Sequence, residues 1–164
     1  MKVITVCGYT FAALHLGAIL LAQGVSPERF WLAAFIYAAG LALYWWAIAI
    51  NRARRLSAAF SGDVPTHLVE DGPYRLIRHP FYCSYLLVWT AGVIGSGRLW
   101  LLATVAVMLG LYLRAAYIEE RKFARCALAS EYEALRGRTG LLTPNPWKML
   151  TARSWKAMAA RRSD

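Results

Sequence analysis

Residues Phe30 to Ile50 read FWLAAFIYAAGLALYWWAIAI, 21 positions without a charge. An α-helix rises about 1.5 Å per residue, so about 20 residues cross a hydrocarbon core of about 30 Å. Val3 to Ala22, VITVCGYTFAALHLGAILLA, is a second uncharged run of 20 residues. Both are expected to be transmembrane helices. The first is longer than the apolar core of a secretory signal, and no small-residue cleavage site precedes Ser26-Pro27-Glu28. Across the 164 residues, 59% are apolar, above the roughly 45–50% of a soluble domain.

Two shorter runs follow. Phe81 to Gly95 is 15 residues. Leu99 to Leu113 is another 15, interrupted by Arg114 and resuming through Ile118. Gly95-Ser96-Gly97 between them has turn composition. The pair reads as a helical hairpin, with Pro80 at the first helical position, where a missing N–H costs nothing. A helix of about 15 residues falls about 7 Å short of a full crossing, so the third helix is expected to start inside the membrane boundary.

The expected fold is therefore an all-α integral membrane protein with about four transmembrane helices, the last two a helical hairpin, and a cytoplasmic C-terminal helical segment. It is read as one membrane domain over 1–164. Residues 1–50 supply two helices and 51–80 a cytoplasmic connection. The hairpin takes 81–118, and 119–164 forms a basic cytoplasmic tail. In that tail Phe123, Leu128, Tyr132 and Leu135 form an approximate apolar stripe over Glu119 to Arg138. Trp147 to Arg162 reads equally as a helix lying on the membrane surface or as a frayed basic tail.

Orientation follows from charge. With four crossings, Lys2, five arginines in the connection and ten Lys/Arg after Ile118 share one side, 16 of the 19. The other side holds Arg29 and Arg98, and Arg114 lies within a helix. The positive-inside rule places both termini in the cytoplasm, with the bacterial inner (plasma) membrane as the expected location. The net charge of +10 is then mainly a topology signal, and it does not point to nucleic acid. Cys7, Cys83 and Cys126 show neither pairing nor metal spacing, and no metal site is expected. There is no G-x-G-x-x-G after a strand and no nucleophile elbow, which leaves out a soluble nucleotide-binding domain. His15, alone in the first helix, is expected to be a hydrogen-bonded packing residue.

The polar chemistry is concentrated in Asp71-Gly72-Pro73-Tyr74-Arg75-Leu76-Ile77-Arg78-His79-Pro80-Phe81-Tyr82. Such a cluster at a membrane edge is costly unless something binds there. A helix N-terminus attracts anions, and Arg75, Arg78 and His79 strengthen that field. Glu119-Glu120 ends the fourth helix, where acids oppose the dipole and so call for a partner. That partner is either the arginines upstream, a bound cation, or simply the adjacent Arg121 and Lys122. Arg114 either snorkels to headgroups or faces the bundle and holds an anionic substrate group.

The pattern Gly72-Pro73-Tyr74-Arg75-x-x-Arg78-His79-Pro80-x-Tyr82, followed by Glu119-Glu120, resembles the isoprenylcysteine carboxyl methyltransferases. These are integral-membrane enzymes related to the phospholipid N-methyltransferases. The likeness covers about Leu68 to Pro144. It implies S-adenosylmethionine as methyl donor, with S-adenosylhomocysteine as product. His79 and Tyr82 match cofactor-contacting positions, Glu119 or Glu120 the family's acidic pair, and Gly72-Pro73-Tyr74 the preceding loop. The family usually has glycine where this chain has Ser84.

Residue chemistry is consistent with this. Arg78 and His79 suit the donor's carboxylate, a glutamate its ammonium or ribose hydroxyls, and Tyr74 and Tyr82 its adenine or sulfonium. The expected site is thus Tyr74, Arg78, His79, Tyr82, Glu119 and Glu120 for the cofactor, with Arg114 and Glu119 at the chemistry. The expected acceptor is a lipophilic membrane-embedded molecule, first a carboxylate, since no dedicated base for an amine is visible. A phospholipid amine is the alternative. Two other classes stay open: a non-catalytic membrane scaffold and a reductase of the sterol-reductase type.

Overall fold

The computed structural model describes residues 2–22, 24–53 and 68–147. The chain is an all-α membrane protein. Its helices are α1 (Lys2–Leu20), α2 (Pro27–Ala53), α3 (Pro80–Ser96), α4 (Leu102–Phe123) and α5 (Ala129–Arg138). Short 3-10 turns cover Gly72–Arg75 and Leu99–Leu101. Three helical stretches are long and apolar enough to cross a bilayer: Lys2–Leu20, Pro27–Arg52 and Leu99–Phe123. The expected third crossing, α3, has 17 residues, about 25 Å of rise, and falls short by itself. The expected turn at Gly62 to Pro65, His67, and the segment beyond Trp147 that could lie on the membrane lie outside the described residues.

Two compact units organise the chain. The first takes residues 1–45 and 81–117, the second 46–80 and 118–164. Helices α2 and α4 contribute to both.

In the first unit, the hairpin forms as its sequence dictates. Pro80 opens α3, and Gly97 closes it at φ +67°, a left-handed conformation that glycine adopts at no steric cost. A Cβ on Gly40 would sit 3.1 Å from the Ser84 carbonyl oxygen and 3.2 Å from Leu87 Cβ, so α2 and α3 approach closely there. Ser84 itself turns its hydroxyl onto the Phe81 carbonyl (2.7 Å).

His15 is buried, and its Nε2 lies 2.8 Å from Thr104 Oγ1. Thr104 spends its own proton on the Leu101 carbonyl (2.7 Å), so the imidazole donates from Nε2. The ring stands edge-on to Trp89, at 5.1 Å between centroids. Trp89 in turn donates to the Tyr112 hydroxyl (3.4 Å). The remaining surface of α1 and α2 is largely exposed apolar side chain, including Phe30, Trp31, Phe35, Trp45 and Leu20. That is the composition a bilayer covers.

In the second unit, α4 ends at Phe123, and a turn reverses the chain into α5. The expected apolar stripe makes this return: Phe123 stacks on Tyr132 at 4.5 Å between centroids, and Tyr132 and Leu135 are buried. Thr139 caps α5 by donating both its N–H and its hydroxyl to the Leu135 carbonyl.

Candidate active site

The site is built in the second unit from three segments. The first is the stretch entering α3. Gly72 takes φ +56° and starts the 3-10 turn. A Cβ there would meet Ile50 Cγ1 at 2.7 Å, so only glycine lets this turn lie against α2. The Tyr74 hydroxyl donates to Asn51 Oδ1 (3.2 Å). Burial, with the Glu119 charge adding to it, pushes the Tyr74 hydroxyl up to about 12 against the opposing bond to Asn51. Tyr74 is therefore a neutral donor at physiological pH.

The second segment follows α5. Arg78 N–H donates to the Gly140 carbonyl (2.9 Å), and His79 N–H to the Leu141 carbonyl (3.2 Å). Gly140 N–H returns a bond to Leu76 (3.1 Å). This short parallel bridge between Ile77 and Gly140 holds the Arg-His backbone in place. Glu70 and Arg138 pair across the same two segments at 2.6 Å.

The third segment is the end of α4, and it brings the acids. Arg78 Nε donates to Glu120 Oε1 at 2.8 Å, with the two side chains 7% and 15% exposed. A second guanidinium nitrogen, Nη1, donates to the Thr139 carbonyl (2.8 Å). Arg136 Nε lies 4.0 Å from the other Glu120 oxygen. The expected anion-binding Arg78 thus binds protein: its charge neutralises Glu120 and ties α4 to the end of α5. Of the two acids at this helix C-terminus, where a carboxylate opposes the dipole, Glu120 has Arg78 as a cationic partner.

His79 lies between the acids. Its Nδ1 is 3.4 Å from Glu119 Oε2, and its Nε2 faces Glu120 Oε1 at 3.7 Å, longer than a hydrogen bond. Burial opposes a charged ring, but the neighbouring Glu119 and Glu120 carboxylates outweigh it and raise the imidazole above its ordinary value. Tyr132 stands beside this group, where burial and the Glu120 charge hold its hydroxyl un-ionised.

The structure therefore brings together Arg78, His79, Glu119 and Glu120, with Tyr74 in the same unit. Glu119 is the more accessible acid, at 32% exposed. Tyr82 and Arg114 belong to the first unit. There Tyr82 is buried and stacked on Tyr112, 5.2 Å between centroids, so one face of its ring has an aromatic neighbour. Arg114 is exposed on α4. Thr139, Gly140 and Arg136 are additions to the expected set. Tyr132 was visible only as part of the apolar stripe, and Thr139-Gly140 carries no motif.

A family model described as phospholipid methyltransferase matches residues 28–126. The chain belongs to the phospholipid methyltransferase family. The family region holds α2 from Glu28 on, α3, α4, and the residues Arg78, His79, Glu119 and Glu120. It stops short of α5, whose Tyr132 and Arg136, with Thr139 just after it, complete the surroundings of Glu120 in this phospholipid methyltransferase family member. No curated protein and no solved structure matches the chain.

Proposed function

We propose that the chain transfers a methyl group from S-adenosylmethionine to a lipid acceptor in the membrane, at the site made by Tyr74, His79, Glu119 and Glu120. The observation that carries this is the buried convergence of Arg78 and His79 with an acid pair some 40 positions away, inside a phospholipid methyltransferase family region. Bound there, S-adenosylmethionine supplies an electrophilic methyl group on a sulfonium. The donor set fits it. Glu119 is an accessible carboxylate for an ammonium or for ribose hydroxyls, and Tyr74 is an un-ionised hydroxyl. Glu120, neutralised by Arg78, holds the ring of His79 from its other side. Methyl transfer is an in-line displacement, in which positioning supplies much of the rate.

The acceptor this site supports best is the primary amine of a phospholipid headgroup. An alkylammonium must lose a proton before it can attack. The His79–Glu119 pair supplies a group that takes one: Glu119 orients the imidazole, and the neutral ring is the base. A lipophilic carboxylate is the second reading, supported by the likeness of Arg78-His79-Pro80-x-Tyr82 to the isoprenylcysteine carboxyl methyltransferases. It needs no base, because it is ionised at neutral pH.

Purified protein in detergent is expected to bind S-adenosylhomocysteine saturably and NADPH not at all. Given labelled S-adenosylmethionine and a total lipid extract, it is expected to label phosphatidylethanolamine, with a rate that falls as pH drops and His79 charges. Label confined to a carboxylic lipid, with a flat pH profile, selects the second reading. Absence of S-adenosylhomocysteine binding overturns both.

A further inference from the structure

We propose that Arg136 of α5 receives the carboxylate of the methyl donor, taking it in exchange for Glu133. The assignment rests on the methyl-transfer reading and adds a residue to that site. S-adenosylmethionine ends in an amino acid, so its pocket needs a cation for the carboxylate as well as an acid for the ammonium. Arg78 does not serve as that cation. Its side chain is 7% exposed, and its fork is turned inward, Nε to Glu120 Oε1 and Nη1 to the Thr139 carbonyl, each at 2.8 Å. Arg136 brings a second guanidinium to the same acid, and it is 53% exposed. The family region ends at residue 126, so it assigns nothing to Arg136.

Arg136 follows Tyr132 by one turn of α5, so the two share a face of that helix. Tyr132 is buried, stacked on Phe123 and beside Glu120, which brings this face to the acid. Arg136 Nε lies 4.0 Å from Glu120 Oε2, an electrostatic contact longer than a hydrogen bond. Its Nη1 donates to Glu133 Oε2 at 3.3 Å, three positions back on the same helix. Both members of that pair are exposed, and an exposed ion pair of this kind is worth little. The donor's carboxylate accepts two parallel bonds from a guanidinium plane. The exchange conserves charge: one carboxylate replaces another, and Glu133 returns to water. Glu119, the more accessible of the acid pair, is left for the ammonium, so charge sorts the two ends of the amino acid.

The test uses the full chain in detergent and two ligands, S-adenosylhomocysteine and its decarboxylated analogue, which keeps the amine, ribose and adenine. Calorimetric titration is expected to show wild type binding the first about tenfold more tightly, the worth of one charge-assisted pair. Arg136→Gln is expected to lose that preference and bind the two alike. Arg136→Lys, which keeps the charge without the fork, is expected to recover part of it. Glu133→Gln removes the competing carboxylate, so it is expected to tighten S-adenosylhomocysteine about twofold and leave the analogue unchanged. Damage to α5 would instead weaken both ligands together. Equal losses for the two ligands in Arg136→Gln, or no loss, overturn the assignment and leave the methyl-donor reading standing. A wild type that binds S-adenosylhomocysteine no better than the analogue overturns it as well. A wild type that binds neither ligand fails the methyl-donor reading, and the assignment falls with it. Melting curves confirm that each variant is folded. If Arg136→Gln is not, Glu133→Gln decides: tightening confined to S-adenosylhomocysteine supports the exchange, and unchanged or looser binding overturns it.

Discussion

At the scale of single residues, the acid pair divides its labour. Glu120 faces a guanidinium that is 7% exposed, so Glu120→Gln leaves a nearly buried cation short of its counter-charge. Breaking such a pair from one side costs about 3 kcal/mol. Glu119 is 32% exposed, and its loss is expected to cost less than about 1 kcal/mol of stability. Donor affinity is expected to show the reverse order, with Glu119→Gln the weaker binder among folded variants. Denaturation in mixed detergent and S-adenosylhomocysteine titration measure the two quantities, and an identical ranking in both undoes this division. His79 adds a pH dependence. Its raised value means that the folded chain favours the charged ring. That contribution is full below about pH 6.5 and drains away as pH climbs through the native value. Wild type is therefore expected to lose thermal stability from pH 6.5 towards pH 9 relative to His79→Gln, once the pH-independent cost of the substitution is removed. Parallel melting profiles for the two proteins count against a charged His79. Sequence alone pointed to Arg78, His79 and the acids, because such groups are costly at a membrane edge. It could not say whether Arg78 faces a ligand or the protein. That depends on the Thr139 carbonyl, 61 positions away.

At the scale of elements, the short bridge from Ile77 to Gly140 decides where the Arg-His backbone lies. A Cβ on Gly140 would collide with the Thr143 carbonyl oxygen, a backbone atom that cannot swing aside. Gly140→Ala therefore has to move residues 140–143, and with them the acceptors for the N–H groups of Arg78 and His79. The expected cost is about 1–3 kcal/mol, the range for overpacking, with weakened S-adenosylhomocysteine binding alongside. A Gly140→Ala protein that melts and binds as wild type would show that this bridge is dispensable. The helical elements were legible because their signals are local: Pro80 at a helix start, Gly95-Ser96-Gly97 at a reversal, Tyr132 and Leu135 three apart on one face. A lone bridge between an extended tripeptide and a loop has no period and no turn residue to announce it. The pairing is set by the return of α5, through the Phe123–Tyr132 stack and the Glu70–Arg138 pair.

At the scale of the whole molecule, the number of crossings rests on α3. Its 17 residues rise about 25 Å, against a core of about 30 Å. A mismatch of about 5 Å costs fractions of a kcal/mol per Å, a couple of kcal/mol in all, and the bilayer can thin to meet it. The alternative, an α3 that enters and returns on one side, leaves three crossings. It would move the ten Lys/Arg after Ile118 to the side of Arg29, against the bias that sets membrane orientation. The charge term outweighs the length term, so α3 is expected to cross and the two termini to share a side. The native thiols Cys7, Cys83 and Cys126 are first replaced by alanine, and single reporters are placed by Ser26→Cys, between α1 and α2, and Ser130→Cys, on α5. In right-side-out vesicles an impermeant maleimide is expected to label the Ser26→Cys protein directly and the Ser130→Cys protein only after permeabilisation. Direct labelling of both would put α5 on the far side with Ser26 and make α3 a re-entrant helix. The 16 cations counted on one side would then be divided between two, and the site at Arg78 and His79 could not share a membrane face with acids at the end of a three-crossing bundle.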